Sequence, residues 1–208
     1  GMTATTHRTT ALMHENWQFL SWEHPLVRGA LDLTLSGTHG RTGMLAAKLD
    51  NGLNGLFLEC IFILEAVGPK GLQAGKFLPP TCLRLFLNSR GEDKSELVSF
   101  ESLAQTAISL EKKTLLNLLQ KSRPVIPGLL EKAESLSEKL AQPLRQQAVD
   151  NMLDFYTNEI QRLTQLQSIN PLVRDDEIED MQAEGLALHR MLESSQLRLD
   201  AVRVVVLA

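Results

Sequence analysis

The pattern of apolar and polar positions divides the chain into two differently organised halves. Up to about residue 100, apolar residues occur in short runs separated by glycine and proline, as in strands joined by turns. Between residues 101 and 199 they recur at spacings of three and four, which is the period of an amphipathic helix. The strand pattern returns at residues 201–207. The pattern therefore predicts a sheet whose sequence is interrupted by a long helical insertion.

Three runs in the first half have strand character, at residues 44–49, 56–67 and 81–87. The second is almost continuously apolar, as expected of a central strand that is covered on both faces. A fourth short strand is predicted at 96–100 after a turn-rich segment. We expect these strands to form an antiparallel sheet to which the last strand, 201–207, returns.

Helices are predicted on both sides of these strands. Pro25 suits the first turn of a short buried helix that ends near Ser36. A first helix of the insertion covers 101–119 and ends at Pro124 and Pro127. A long helix follows, and we expect Pro143 to kink it. Its predicted apolar stripe consists of Leu129, Ala133, Leu136, Leu140, Leu144, Ala148, Met152, Tyr156, Ile160 and Leu163.

A second long helix completes the insertion. Asp176 and Glu179 have the spacing of an N-terminal capping pair, and the acidic cluster 175–180 suits the positive end of a helix. The two long helices are expected to form a projecting hairpin that turns near Asn170. The predicted fold class is α+β: an antiparallel sheet with packed helices, an inserted long helical hairpin at about 101–199, and a final strand that returns to the sheet.

Charge and composition narrow the function classes. The chain has 208 residues, 43% of them hydrophobic, which is enough to bury a core. Residues 101–208 hold twelve basic and sixteen acidic side chains, whereas residues 1–100 hold nine of each. Since a nucleic-acid domain normally has a basic face, tight binding of DNA or RNA by this chain alone is not expected.

The ends and apolar runs of the chain predict its organisation and location. No apolar run approaches the roughly 20 residues of a membrane span, and the N-terminus has no signal-peptide pattern, so we expect a cytoplasmic protein without a membrane partner. Residues 1–17 are expected to be an extension that includes a cloning remnant at Gly1. Residues 18–208 are expected to form one domain. Cys60 and Cys82 are interpreted as buried, reduced thiols.

No catalytic, cofactor-binding or metal-binding residue is predicted. GLQAGKF at residues 71–77 has three residues, not four, between its glycines and ends in Phe, so a turn is favoured over a phosphate loop. The glycine-rich loop GTHGRTG at 37–43, with His39 and Arg41, is interpreted as a connection. The acidic cluster 175–180 is interpreted as helix capping, and none of the five histidines has metal-ligand spacing.

Five segments carry a resemblance to a known family. They are QFLSWEHPLVRGALDLTL at 18–35, FLECIFILEAVGPKGLQAGKFLPPTCLRLFLN at 57–88, VSFESL at 98–103, NPLVRDDEIE at 170–179 and RLDAVRVVVL at 198–207. Together they resemble the C-terminal domain of the RapA (HepA) family of bacterial RNA polymerase-associated SWI/SNF-type ATPases. The resemblance extends over nearly the whole chain from about residue 6.

The resemblance implies that this chain is an accessory interaction domain and not an enzyme. In that family the parent protein is a helicase-like motor that hydrolyses ATP with Mg, binds DNA and core RNA polymerase, and recycles polymerase in transcription. Neither an ATP loop nor a DEAD/H-type box occurs in this sequence, so no cofactor is expected in this chain. The expected partners are core RNA polymerase and the parent's own motor domains, with DNA contacted through the parent.

A second function class stays open at the level of sequence. The chain is alternatively a self-standing enzyme or ligand-binding domain whose site is dispersed in sequence, around the 37–43 loop and Arg84. A cleft with converging polar side chains would favour this alternative. An exposed patch without such a cleft would favour the interaction domain.

Overall fold

The computed structural model describes residues 3–14, 16–36, 41–50, 52–69, 71–170 and 173–208, and it divides the chain into two compact units, Gly1–Gly43 and Met44–Ala208. The predicted division into 1–17 and 18–208 stays a prediction.

The first unit contains two short strands and two helices. Strand β1 (Thr3–Thr5) pairs in parallel with β2 (Trp17–Phe19), and helix α1 (Arg8–Met13) connects them. Helix α2 (Pro25–Ser36) begins with its proline, as predicted. The predicted burial of α2 is wrong for the side chains that the structure describes, since Leu26 is 54% exposed and only Val27 is partly buried.

The second unit is built on a five-stranded sheet in the order β5-β4-β7-β3-β6. Its strands are β3 (Thr42–Ala47), β4 (Gly55–Glu65), β5 (Thr81–Asn88), β6 (Ala107–Ile108) and β7 (Gln196–Leu207). Strand β4 pairs antiparallel with both β5 and β7, and β3 pairs antiparallel with β6. Strands β7 and β3 are neighbours in the sheet, and their C-terminal ends lie together, where the Ala208 amide donates to the Ala47 carbonyl at 3.1 Å. These two strands therefore run in the same direction, and the sheet is mixed.

The return of the last strand to the sheet is confirmed. Strand β7 pairs with β4 from Gly55 opposite Leu207 to Glu65 opposite Gln196, with one irregularity at Ile61/Phe62. All helices between β5 and β7 are therefore an insertion into one sheet, as the change of hydrophobic period predicts. The α+β class is confirmed as well.

Side chains of β4 alternate between two cores. Leu58, Cys60 and Phe62 face the long helix α5 (Ile126–Ile169), while Leu64 packs against α5 and helix α6 (Asp175–Glu193). On the opposite face, Phe57 packs with residues that cover that side of the sheet: Phe86, Val98, Leu103 and Val205. Strand β4 is thus covered on both faces, which explains its continuous apolar run.

The predicted strand at 96–100 is wrong. The segment before it forms turns, in which the Lys94 amide donates to the Phe86 carbonyl at 2.8 Å. Ser99 then caps helix α3 (Phe100–Gln105), because its hydroxyl accepts from the Ser102 amide at 3.0 Å. A side-chain cap thus begins a helix where the alternation of apolar residues favoured a strand.

The predicted single helix over 101–119 is also wrong. It is divided into α3, the short strand β6 and helix α4 (Lys112–Ser122). Strand β6 interrupts it because Ala107 and Ile108 pair with the edge strand β3. Pro127 does not end this segment; it lies in the first turn of α5, where its missing N–H leaves no bond unmade.

Helix α5 is continuous through Pro143, and the predicted kink there stays a prediction. Its buried stripe differs from the predicted one. Leu140 is 45% exposed, while its neighbour Ala141 and the preceding Ser137 are fully buried. The predicted stripe contained only apolar residues and therefore left out Ser137. The Ser137 hydroxyl donates to the Glu134 carbonyl at 2.9 Å, so it needs no hydrogen-bond partner in the sheet.

Helix α6 packs against α5 and completes the predicted hairpin, although Pro171 and Leu172 in its turn lie outside the described residues. The acidic first turn of α6 is confirmed, with Asp175, Asp176 and Glu177 at its positive end. The predicted capping pair is wrong. Arg174 occupies the N-cap position without a side-chain cap bond, and its guanidinium donates to Asp176 at 3.0 Å.

Candidate functional site

An Arg–Glu–Arg cluster lies in the middle of the sheet. Glu59 on β4 is 2% exposed, and its carboxylate accepts from Arg84 Nε at 2.8 Å and from Arg203 Nε at 2.6 Å. The register places Arg203 of β7 directly opposite Glu59. It places Arg84 of β5 opposite Ile61, which follows Glu59 by two residues on β4. Two flanking strands thus each supply one guanidinium to the central carboxylate.

The surroundings of this cluster add contacts to both guanidinium groups, although Arg84 Nη2 is buried without a hydrogen-bond partner among the described residues. Arg84 Nη1 donates to the Val98 carbonyl at 2.6 Å, and the Arg203 guanidinium lies 5.2 Å from the Phe100 ring centroid. A buried carboxylate with two charge-assisted partners is satisfied, whereas the same carboxylate alone would cost several kcal/mol, on the order of 3–5. The cluster therefore links three strands and leaves Arg84 engaged within the protein.

The sequence analysis identified Arg84 but missed Glu59 and Arg203. A signal was present: Glu59 interrupts the apolar run of β4, Arg84 interrupts that of β5, and Arg203 interrupts that of β7. Because buried charges are paired, such isolated charges in core strands predict each other as partners.

The GLQAGKF segment forms a short 3-10 turn, Ala74–Lys76, between β4 and β5. Its lysine does not face an open loop, since Lys76 Nζ lies 3.3 Å from the centroid of the Phe155 ring on α5. Ala74 is buried in the core beneath α5 and α6. These contacts support the interpretation of the segment as a packed turn.

The two cysteines have different environments. Cys60 is buried, and this burial, with the negative charge of Glu59 nearby, raises the pKa of its thiol to about 12. The prediction of a buried, reduced thiol is confirmed for Cys60. It is wrong for Cys82, which is exposed near the end of the sheet.

The remaining sequence candidates give no assembled site. Within the part of the chain that the structure describes, no group of three or more His, Cys, Asp or Glu side chains is placed to hold a metal ion. Residues 37–40 of the glycine-rich loop, including His39, lie outside the described residues. Among the described helices, none is long and apolar enough to cross a bilayer.

A groove between α5 and α6 is the strongest candidate for a functional surface. One part has a volume of about 450 Å³ and is almost entirely apolar. Its walls come from both helices: Met152, Leu153, Tyr156, Thr157 and Ile160 on α5, and Gln182, Gly185, Leu186 and His189 on α6. Leu153 is 46% exposed and Leu186 is 62% exposed, so the groove opens to solvent.

The two helices approach closely because of Gly185. A Cβ atom added there would lie 3.2 Å from the Tyr156 ring. Burial and the nearby Glu184 carboxylate raise the pKa of Tyr156 to about 12, which keeps its phenol neutral at ordinary pH. Gly185 and Tyr156 therefore form the floor of the groove.

A second, more polar part of about 710 Å³ continues the groove toward Pro143. It shares Leu153 and His189 with the first part and adds Gln146 and Glu193. His189 Nδ1 lies 3.4 Å from the Glu193 carboxylate. The two parts follow α5 from Gln142 to Ile160, a length of about 27 Å at 1.5 Å per residue.

The groove lies in the most acidic part of the chain. Residues 142–193, which include the groove on both helices, hold ten acidic and four basic side chains. Three of those four are in ion pairs: Arg145 with Glu138, Arg162 with Glu159 and Arg174 with Asp176. The arrangement can bind a complementary surface through apolar contact and electrostatic attraction.

Comparison with known proteins agrees with the resemblance found in the sequence. The sequence model described as RNA polymerase recycling family, C-terminal, matches residues 1–207. "RNA polymerase-associated protein RapA" of Pseudomonas fluorescens strain Pf-5 is 37% identical over 99% of this chain, which corresponds to 22% of that protein. The protein of the same name from Serratia proteamaculans strain 568 is 36% identical over 99% of this chain and 21% of its own length.

The chain thus spans about a fifth of the length of the curated relatives that it matches. The match leaves almost no residue of this chain uncovered, and it includes the sheet, the inserted hairpin and the returning strand. The chain therefore belongs to the RNA polymerase recycling family, as a representative of its C-terminal region.

Proposed function

We propose that this chain is a non-catalytic contact domain, residues 18–208, of a larger RNA polymerase-associated protein. The observation that carries the proposal is the match of the family model to residues 1–207. Relatives that match this chain are named as RNA polymerase-associated proteins. Core RNA polymerase and the motor domains of the same protein are the proposed partners, and ATP, Mg and DNA are handled by those motor domains.

The chemistry of the described residues supports a role in contacts. The polar groups that would suit catalysis are engaged in packing: Glu59 holds Arg84 and Arg203, and Lys76 lies over Phe155. An apolar groove on the acidic hairpin stays open to solvent. The alternative of a dispersed enzymatic site near Arg84 is not favoured, because Arg84 already donates to Glu59 and to the Val98 carbonyl.

The test uses the Pseudomonas fluorescens relative with its matching region replaced by this chain or deleted. We expect the chimera to associate with core RNA polymerase as the relative does, and the deleted form to associate at least tenfold more weakly. Basal ATP hydrolysis should change less than association. Equal association of all three proteins would refute the proposal.

A further inference from the structure

We infer that the groove between α5 and α6 binds a basic amphipathic helix of a partner protein, with the apolar side chains of that helix against Leu153 and Leu186. The inference rests on the proposed contact function and names the surface and the chemistry of its partner. Three features of the groove carry it: its apolar lining, its length and its charge.

The lining is suited to apolar side chains on one face of a helix. Leu153 of α5 and Leu186 of α6 both line the groove and stay 46% and 62% exposed. The polar side chains of the same part include Thr157, Gln182 and His189, and His189 is paired with Glu193. Covering two leucines removes apolar surface from water at about 25 cal/mol per Å², which favours an apolar occupant over a solvated one.

The length is suited to a helix and not to a small molecule. The two parts of the groove run beside α5 for about 27 Å, from Gln142 to Ile160. A partner helix of about 18 residues would fill this length, with side chains at positions i, i+4, i+7 and i+11 along the groove.

The charge of the rim selects a basic partner. Asp150 and Asp154 lie on the exposed side of α5 next to Leu153, three residues before it and one after it. On α6, Glu193 lines the groove seven residues after Leu186, and Glu179 shares the face of Leu186 seven residues before it. These four carboxylates outnumber the two nearby arginines, Arg190 and Arg145, and Arg145 is already paired with Glu138.

The same charge argues against other occupants. A second copy of this chain would bring a hairpin with thirteen acidic and six basic side chains, at residues 126–193, against its equal. Nucleic acid and anionic lipid surfaces carry phosphates, which these carboxylates repel. A cationic helix with an apolar stripe gains from both the lining and the rim.

The experiment measures binding of two 18-residue peptides to the chain by fluorescence anisotropy. Both peptides carry leucine at i, i+4, i+7 and i+11, one with lysine and the other with glutamate at the remaining positions. We expect saturable binding of the lysine peptide, weakened at least tenfold by Leu153→Asp or Leu186→Asp. The matched control is Leu140→Asp, because Leu140 is 45% exposed on α5 but does not line the groove.

A double variant, Asp150→Asn with Asp154→Asn, separates the contribution of charge from that of apolar contact. It should weaken binding of the lysine peptide three- to tenfold and reduce the salt dependence of that binding. Far-UV circular dichroism and thermal unfolding check that each variant is folded. The inference is overturned if both peptides bind equally, if Leu186→Asp binds like the unchanged chain, or if the chain dimerises through this groove.

The outcome is distinguishable from failure of the proposed function. In the chimera of the relative, Leu186→Asp should reduce polymerase association as deletion of the domain does. If deletion weakens association and Leu186→Asp does not, the contact function stands and the groove is not its surface. If neither change matters, the contact function fails.

Discussion

At the scale of single residues, the charges of the sheet are the features with the largest energetic consequences. Glu59 is 2% exposed between two guanidinium groups, and its removal would leave Arg84 and Arg203 partly buried, unpaired and repelling each other. Breaking a buried ion pair by removing one partner costs more than replacing all partners together, because the remaining charges keep their desolvation penalty.

Glu59→Ala should therefore lower the free energy of unfolding by about 3–5 kcal/mol. A triple variant, Glu59→Leu with Arg84→Met and Arg203→Met, should recover most of this loss. Urea unfolding followed by circular dichroism measures both. If Glu59→Ala unfolds at the same urea concentration as the unchanged chain, the cluster has no structural role.

Residue-scale features were the hardest to predict from the sequence. The apolar run of β4 indicated a strand covered on both faces, and that interpretation passed over Glu59 within it. The partners of a buried charge lie 25 and 144 residues away along the chain, so no local pattern contains them. Only the strand order brings the three side chains together.

At the scale of elements, the contact between α5 and α6 depends on the small side chain at their crossing. Gly185 faces Tyr156, which is 8% exposed and cannot move far within the core. A larger residue there would force the helices apart, and overpacking of this kind typically costs 1–3 kcal/mol.

Gly185→Leu should lower the stability of the chain by about 1–3 kcal/mol and should weaken binding at the groove. Gly128→Leu is the matched control, since no atom lies within 4 Å of a Cβ added at Gly128 in the first turn of α5. Thermal unfolding of both variants checks the prediction. It fails if the two substitutions change the melting temperature equally.

The 3-10 turn Ala74–Lys76 gives a second prediction at this scale. Lys76→Ala removes the cation above the Phe155 ring and should cost about 0.5–2 kcal/mol of stability.

Calorimetric titration with ATP and Mg should give no binding for the unchanged chain or for the Lys76→Ala variant, because the turn has no phosphate-loop spacing. Micromolar binding that Lys76→Ala abolishes would contradict this.

Helices and strands were predicted well where the periodic apolar pattern continued over many residues. They were predicted poorly where strand pairing or helix capping set the boundaries. The long helices and the strands of β4, β5 and β7 follow from period alone. The segment 96–108 does not, since the Ser99 cap begins α3 and pairing with β3 creates β6. The buried stripe of α5 shifted at Ser137 and Ala141 because small residues face the sheet there.

At the scale of the whole molecule, the inserted hairpin is part of the core and not only a projection. Met152 and Leu188 of the hairpin pack with Leu64 of β4 and Leu78 before β5. Removal of the entire hairpin would therefore unfold the sheet, so its contact role must be tested by exposed residues such as Leu186 or by deletion of the whole domain. The family and the returning last strand were both predictable, because they depend on long stretches of sequence.

The measurement that tests the central claim most directly is the affinity of the Pseudomonas fluorescens relative for core RNA polymerase, with its matching region exchanged for this chain or deleted. If this chain is a contact domain, the exchanged protein should bind within about threefold of the relative, and the deleted protein at least tenfold more weakly, which is about 1.4 kcal/mol of binding free energy. Basal ATP hydrolysis should stay within twofold in all three. Unchanged affinity after deletion, or loss of basal ATP hydrolysis with affinity retained, would contradict the account.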